Sequence, residues 1–200
     1  MSSWTYRAHW SLALLFSAAA CAPAHRPEEA QASGIGPPAM AIAQPRAMVL
    51  RVDEGERRVR RFGFSAPQFT IKIDPRNGGS SDLVMGYEAL PPGASIPPHQ
   101  HRIADEIIFV HRGSGVVRLG ASETAFGPGA TIYIPSNTRV TVENTGADSL
   151  AIAFIFSKPG FEDLLRDISA PEGAPLVPLS AAELTAIRKR HEWHTIYERP

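Results

Sequence analysis

Three side chains in the middle of the chain have types and spacing suited to holding a cation: His99, His101 and Glu106, within Gly93-Ala-Ser-Ile-Pro-Pro-His-Gln-His-Arg-Ile-Ala-Asp-Glu-Ile-Ile-Phe-Val-His-Arg-Gly113. Alternate side chains of an extended segment share a face, so His99 and His101 both point one way from a strand-like run that turns at the histidines. Glu106 opens the apolar run Ile107-Ile-Phe-Val110 and returns from the next strand. A carboxylate buried at the head of such a strand is costly without a partner. Two imidazoles and a carboxylate converging inside a β-structure form a two-histidine, one-carboxylate metal site. Each imidazole would bind neutral through one nitrogen, with the other donating to a nearby acceptor. Fe, Mn, Zn, Ni and Co all accept this donor set, so it implies a divalent ion without naming it.

The spacing Gly93-x5-His99-x-His101-x4-Glu106-x6-Gly113 resembles the first signature of the cupin superfamily at every position and gap. The second cupin signature has a partner in Gly129-x5-Pro135-x-Asn137-x2-Val140-x3-Asn144. Asn137 stands where the family has a turn glycine, and Asn also tolerates positive φ. Val140 stands where the family has its last histidine ligand. Either the site has become a metal-free pocket, or it is a three-ligand site with an extra open position. The resemblance implies an all-β, double-sheet jelly-roll barrel, of the kind found in single-domain bacterial cupins similar to the quercetin-dioxygenase-like group. It also implies a metal-dependent oxygenase acting on a small organic substrate, with Glu106 as metal ligand or as a base that swings off the metal. One cupin fold serves many functions, so a non-catalytic small-ligand module is the alternative.

The elements that must position these residues are short strands separated by turns. Ala47–Val52 reads as a first strand and Arg57–Phe62 as a charged edge strand whose arginines face solvent. In Phe69-Thr-Ile-Lys-Ile-Asp74 the apolar residues alternate, placing Phe69, Ile71 and Ile73 on one face. Leu83–Leu90, Glu106–His111, Gly115–Leu119, Glu123–Phe126, Ala130–Ile134, Arg139–Asn144 and Leu150–Phe156 follow, with Gly, Pro or Asn between them. Many short strands with a turn roughly every ten residues indicate a sandwich or barrel. Met85 and Tyr87 share a face with Leu83 and are candidates to line the pocket, with core packing the equal alternative. Ile108 is in phase with Glu106 and, with Val140, is a further pocket candidate. His111 is out of phase and points to solvent. After Phe156 the period becomes helical. Phe161, Leu164, Leu165 and Ile168 share a side, and Ser180-Ala-Ala-Glu183 is a capping box for a helix to about Arg190. His191 and His194 lie beyond it without a third ligand nearby. The domain reading is therefore a cupin domain over 46–157 and a helical C-terminal extension over 158–200.

Hydrophobic residues make up 44% of the 200, and Lys+Arg and Asp+Glu are 20 each. That balance suits a globular domain and offers no basic surface for nucleic acid. The apolar run Trp10–Ala20 follows Arg7 and is too short to span a bilayer, but it has the length of a signal-peptide core. Cys21, the single cysteine, follows it directly, as in a bacterial lipoprotein signal over 1–21. Ala18 replaces the usual leucine, so simple secretion and an uncleaved anchor stay open. Residues 22–45 read as a flexible tether. The expectation is an exported, periplasmic or lipid-anchored protein that meets membrane only through Cys21. Its partners would be a small molecule and, by family resemblance, a second copy in a homodimer.

Overall fold

The structure is a computed structural model that describes residues 45–62 and 68–198. The N-terminal signal and tether, Cys21 included, lie outside the described residues. Twelve strands are present: β1 (Glu56–Arg60), β2 (Gln68–Ile73), β3 (Val84–Leu90), β4 (Ser95–His101), β5 (Glu106–Arg112), β6 (Gly115–Leu119), β7 (Ser122–Phe126), β8 (Thr131–Ile134), β9 (Val140–Glu143), β10 (Leu150–Phe156), β11 (Ser169–Pro171) and β12 (Thr195–Tyr197). Two helices, α1 (Phe161–Asp167) and α2 (Ala181–Arg190), fall near the C-terminus. The strands form two sheets, β11-β1-β2-β3-β10-β5-β8 and β12-β4-β9-β6-β7, and every pairing is antiparallel. The fold is thus the expected double-sheet jelly roll.

Alternation of side chains decides what each sheet turns inward. On β5, Glu106, Ile108 and Val110 are buried while Ile107, Phe109 and His111 are exposed, as the phase of Glu106 requires. The inward faces of both sheets meet in an apolar layer of Leu90, Ile108, Val110, Val140, Val142 and Ile152. A second layer, with Phe69, Ile71, Phe154 and Phe156, is closed by Phe161, Leu164, Leu165 and Ile168 from α1 and its C-cap. The capping box at Ser180 is present, with reciprocal hydrogen bonds to Glu183.

Four sequence expectations are corrected. Residues 47–52 form no strand: the backbone carbonyls of Arg51 and Val52 accept from the buried Lys72 ammonium at 2.7 and 2.8 Å rather than from a neighbouring strand. β1 is not an edge, since it lies between β11 and β2, and its arginines are engaged rather than solvated. Arg58 reaches Glu56 and Ser169, and Arg60 pairs with Glu88. On β2 the register shifts between Ile71 and Ile73, so Ile73 leaves the fully buried face occupied by Phe69 and Ile71. Finally, the segment after residue 157 does more than add helices. β11 pairs with β1, and β12 pairs with β4, the strand that carries both histidines.

Gly86 is needed for packing. A Cβ there would lie 2.1 Å from Cζ of Phe154, whose ring crosses β3 at that point. Gly86→Ala should therefore lower unfolding free energy by about 1–3 kcal/mol through overpacking. The check is the midpoint of a chemical denaturation curve; an unchanged midpoint would refute the packing argument.

Candidate metal centre

Both histidines sit on β4 itself rather than on a turn, because the strand runs Ser95-Ile-Pro-Pro-His-Gln-His101. Pro97 and Pro98 cannot donate to a ladder, and the β4–β9 register shifts between Ile96 and His99. Beyond the shift His99 and His101 point into the sandwich, and the buried Glu106 opens β5 in the facing sheet. One ligand atom from each of the three lies within 4.8 Å of the others.

The hydrogen bonds fix which atoms face the centre. Nδ1 of His99 lies 2.8 Å from the carbonyl oxygen of Pro97. A carbonyl only accepts, so Nδ1 carries the proton and Nε2 is left as a bare lone pair. Nδ1 of His101 lies 3.0 Å from Thr195 Oγ1, and His194 Nδ1 lies 2.8 Å from the same oxygen. One hydroxyl proton serves one of these contacts. With Nε2 of His101 turned to a cation, the chain runs His101 Nδ1–H to Thr195, then Thr195 O–H to His194 Nδ1. His101 Nε2 stands 3.3 Å from Glu106 Oε2, and neither atom has a hydrogen-bond partner among the described residues. Buried polar atoms are normally paired. Two lone-pair donors facing each other without a proton donor or cation between them are what a metal site looks like before it is filled.

Burial also sets the charges. It pushes His99 down to about 4, helped by neighbouring His101, and His101 down to about 3. It pushes Glu106 up to about 7, against the pull of His99 and with Glu88 adding to the rise. Near neutral pH both imidazoles are therefore uncharged and ready to coordinate. A cation returns to Glu106 the counter-charge that water would have supplied. The donor set of two imidazole nitrogens and one carboxylate suits a divalent transition metal and, with three protein ligands, leaves positions open.

Across the ladder from His99 stands Val140, wholly buried. It supplies no donor and belongs to the apolar layer. The turn before it supports the site: Asn137 takes φ 62°, its N–H donates to the His101 carbonyl at 2.6 Å, and its side-chain amide donates to Arg102 O.

A cavity of about 450 Å³ opens in front of His99 and Glu106. Of the four pocket candidates, Ile108 lines it. Val140 does not; Val142, two residues on, takes that place. Met85 and Tyr87 also stand apart from the lining, which β3 supplies through Glu88 and Leu90. On β3, Val84, Gly86, Glu88 and Leu90 are the buried set, so Met85 and Tyr87 face the outside of the sheet.

Several residues at the site were missed in the sequence. Tyr197 stacks on His99, with ring centroids 5.4 Å apart and planes 24° apart. Arg60 and Glu88 pair at 2.5 Å in the cavity wall. Thr195 and His194 sit behind His101, and His194 is buried against Phe161 rather than on the surface. Gly160, at φ 131°, lets His194 in, since a Cβ there would lie 2.7 Å from its ring. His191 is also buried and bonds Asp167 at 2.7 Å. The alternation of His194 with Thr195-Ile-Tyr197 was the available signal, but three residues are too short a run to mark a strand.

Comparison with known proteins follows the same lines. Residues 86–156, from β3 to β10 and including both motifs, match the cupin domain family. Auxin-binding protein 1 of Arabidopsis thaliana is 31% identical over 91 residues, covering 40% of this chain and 45% of that protein. Tetracenomycin polyketide synthase protein TcmJ of Streptomyces glaucescens is 26% identical over 85 residues, or 42% of this chain and 57% of that one. The chain thus spans about half the length of these curated relatives. A solved structure of a predicted oxalate decarboxylase from Thermotoga maritima aligns with TM-score 0.50 and 23% identity, covering 56% of this chain and 100% of that one, and shows a shared fold. The family match ends before β11, α2 and β12.

Two outcomes follow. Thr195→Val, which keeps shape but removes the hydroxyl, should weaken divalent-metal affinity roughly ten- to a hundredfold in chelator competition, while Thr195→Ser should retain it. Metal affinity should also depend on pH. Below the Glu106 pKa of about 7 a proton must leave before the carboxylate can bind. Affinity should therefore fall as pH drops, roughly tenfold per unit below that point, and level off above it. A profile flat from pH 5 to 8 would show that Glu106 is not a ligand.

Proposed function

We propose that this chain, which carries a cupin domain, binds one divalent metal through His99, His101 and Glu106 and acts on a small organic molecule, with dioxygenase-like oxidoreductase chemistry. The observation that supports this reading is the buried pair of unpartnered atoms, His101 Nε2 and Glu106 Oε2, behind a cavity large enough for a substrate. Pockets of about 300–1,000 Å³ are usual for small ligands. A divalent ion there supplies Lewis acidity and, if it is iron or manganese, redox chemistry. The chain's own residues do the rest. The Pro97 carbonyl and the Thr195 hydroxyl hold the two imidazoles in their ligating tautomers. Leu90, Ile108, Val142, Ile152 and Phe154 line the cavity and exclude water from the reacting atoms. Glu106, poised near neutrality by burial, is the cavity carboxyl able to exchange a proton with a bound substrate.

The second reading, a non-catalytic ligand-binding module, draws on one observation: Val140 supplies no fourth donor. The proposal extends to the N-terminus, where the run Trp10–Ala20 and Cys21 support export with a lipid anchor, and to a homodimer, supported by family resemblance. Among the described residues no helix is long and apolar enough to cross a membrane.

The test is metal content by mass spectrometry on protein purified without chelator, alongside His99→Ala and Glu106→Ala. The expected result is about one equivalent per chain in the native protein, lost in both variants, with melting temperature rising on metal addition. A native protein that takes up no metal, with a melting temperature indifferent to added cations, would leave the non-catalytic reading standing and remove the first.

A further inference from the structure

The cavity in front of the candidate metal centre has an unusual charge inventory. Among its lining residues the ionisable groups are Arg60, Glu88, Glu106, His99 and Tyr197. Arg60 and Glu88 form a buried ion pair at 2.5 Å, with side chains 13% and 4% exposed. The pair cancels. His99 is neutral, and Tyr197 is neutral because burial pushes its phenol up. Glu106 offsets half of a divalent cation, leaving one positive charge in a largely apolar chamber. Val140 matters here only in that it adds no charge. An uncompensated charge in such a place is expensive and favours an occupant of opposite sign.

Two further features give that occupant a landing point. Among the described residues the guanidinium of Arg60 donates one side-chain hydrogen bond, through NH2 to Glu88, so its other N–H groups are available beside the cavity. The hydroxyl of Tyr197 has no hydrogen-bond partner among the described residues and belongs to the cavity wall, its ring clamped between His99 and the guanidinium of Arg188 at 4.4 Å. Arg188 adds positive potential behind it. A clamped ring fixes where its hydroxyl points, which makes Tyr197 a built donor. The remaining wall, Leu90, Ile96, Ile108, Val142, Ile152 and Phe154, is apolar.

We infer that the cavity takes a small monoanion, one carboxylate-like group on an apolar body, with Arg60 and Tyr197 as the residues that recognise its charged end. The inference rests on the metal-centre reading, since the surplus charge exists only with a divalent ion in place. Arg60 and Glu88 then act as a charge regulator. Together they set the preferred ligand charge at minus one, and removing either partner shifts it in a direction fixed in advance. Both lie on strands of the seven-stranded sheet, and Tyr197 lies on β12, outside the stretch that matches the family.

The test uses the zinc-loaded protein, zinc being redox-inert, and calorimetric titration with benzoate, benzamide and phthalate. These probes share a ring and carry one, no and two negative charges. The expected order is benzoate first, at least tenfold tighter than benzamide and tighter than phthalate. Glu88→Gln should move the preference toward phthalate, and Arg60→Met should abolish the preference of benzoate over benzamide. Tyr197→Phe should weaken benzoate several-fold with zinc content unchanged. Zinc is measured by mass spectrometry in every sample. If zinc is bound but benzamide matches benzoate, if neither gives heat, or if Glu88→Gln leaves the order unchanged, the ligand inference is overturned and the metal reading stands. If the native protein holds no zinc, both fall. Should Arg60→Met not fold, Glu88→Gln still decides, because its predicted shift has the opposite sign.

Discussion

The structure depends on a desolvated cluster of three ligating side chains that the protein builds without protein partners for all their atoms. Burying a carboxylate against two imidazoles costs free energy unless something supplies the opposite charge. Without a cation, the fold limits the cost by keeping the imidazoles uncharged and drawing Glu106 toward its protonated form. With a cation, the same burial becomes an advantage, because low polarity strengthens each metal–ligand contact. The unpartnered Nε2 of His101 and Oε2 of Glu106 are the visible sign of this bargain.

Around that cluster the two sheets divide the work. β4 supplies both imidazoles, and its neighbours hold them. The Asn137 N–H grips the His101 carbonyl from the turn before β9, and Thr195 on β12 holds the His101 ring. β5 delivers Glu106 from the other sheet, with Asp105 just before it accepting from Ser136 N–H and Tyr133 OH. α1 then seals the far side with Phe161, whose ring lies 5.1 Å from that of His101. A second ionic cluster, Arg166 with Glu56 and Asp74, ties α1 to β1 and the end of β2. The site is rigid because strands from both sheets and a helix all close on it.

Much of this was legible in the sequence, and the parts that were not share a cause. His99, His101 and Glu106 are carried by spacing, and spacing survives any detail of packing. The capping box at Ser180 and the inward phase of Glu106, Ile108 and Val110 are local and also came through. β3 did not. Hydrophobic alternation put Leu83, Met85 and Tyr87 inside, whereas the buried face is Val84, Gly86, Glu88 and Leu90. The rule assumes that the interior is apolar. Here part of the interior is a site that needs a charged residue and a glycine, so the more hydrophobic set faces out. β1 misled in the same way: four arginines read as a solvated edge, although Arg58 and Arg60 are structural and site residues. β12 was hidden by its length, since its stability comes from pairing with β4 and not from its own three residues. Residues 47–52 erred in the opposite sense, with strand-like composition but carbonyls committed to Lys72.

The most direct test of the account is X-ray absorption at the zinc edge on the zinc-loaded protein, which reports the donor atoms around the ion. The account predicts a shell containing two imidazole nitrogens and a carboxylate oxygen, with Glu106→Gln changing the oxygen contribution and leaving both imidazoles in place. A shell without histidine scattering, or one unchanged when His99 and His101 are both replaced by alanine, would contradict it.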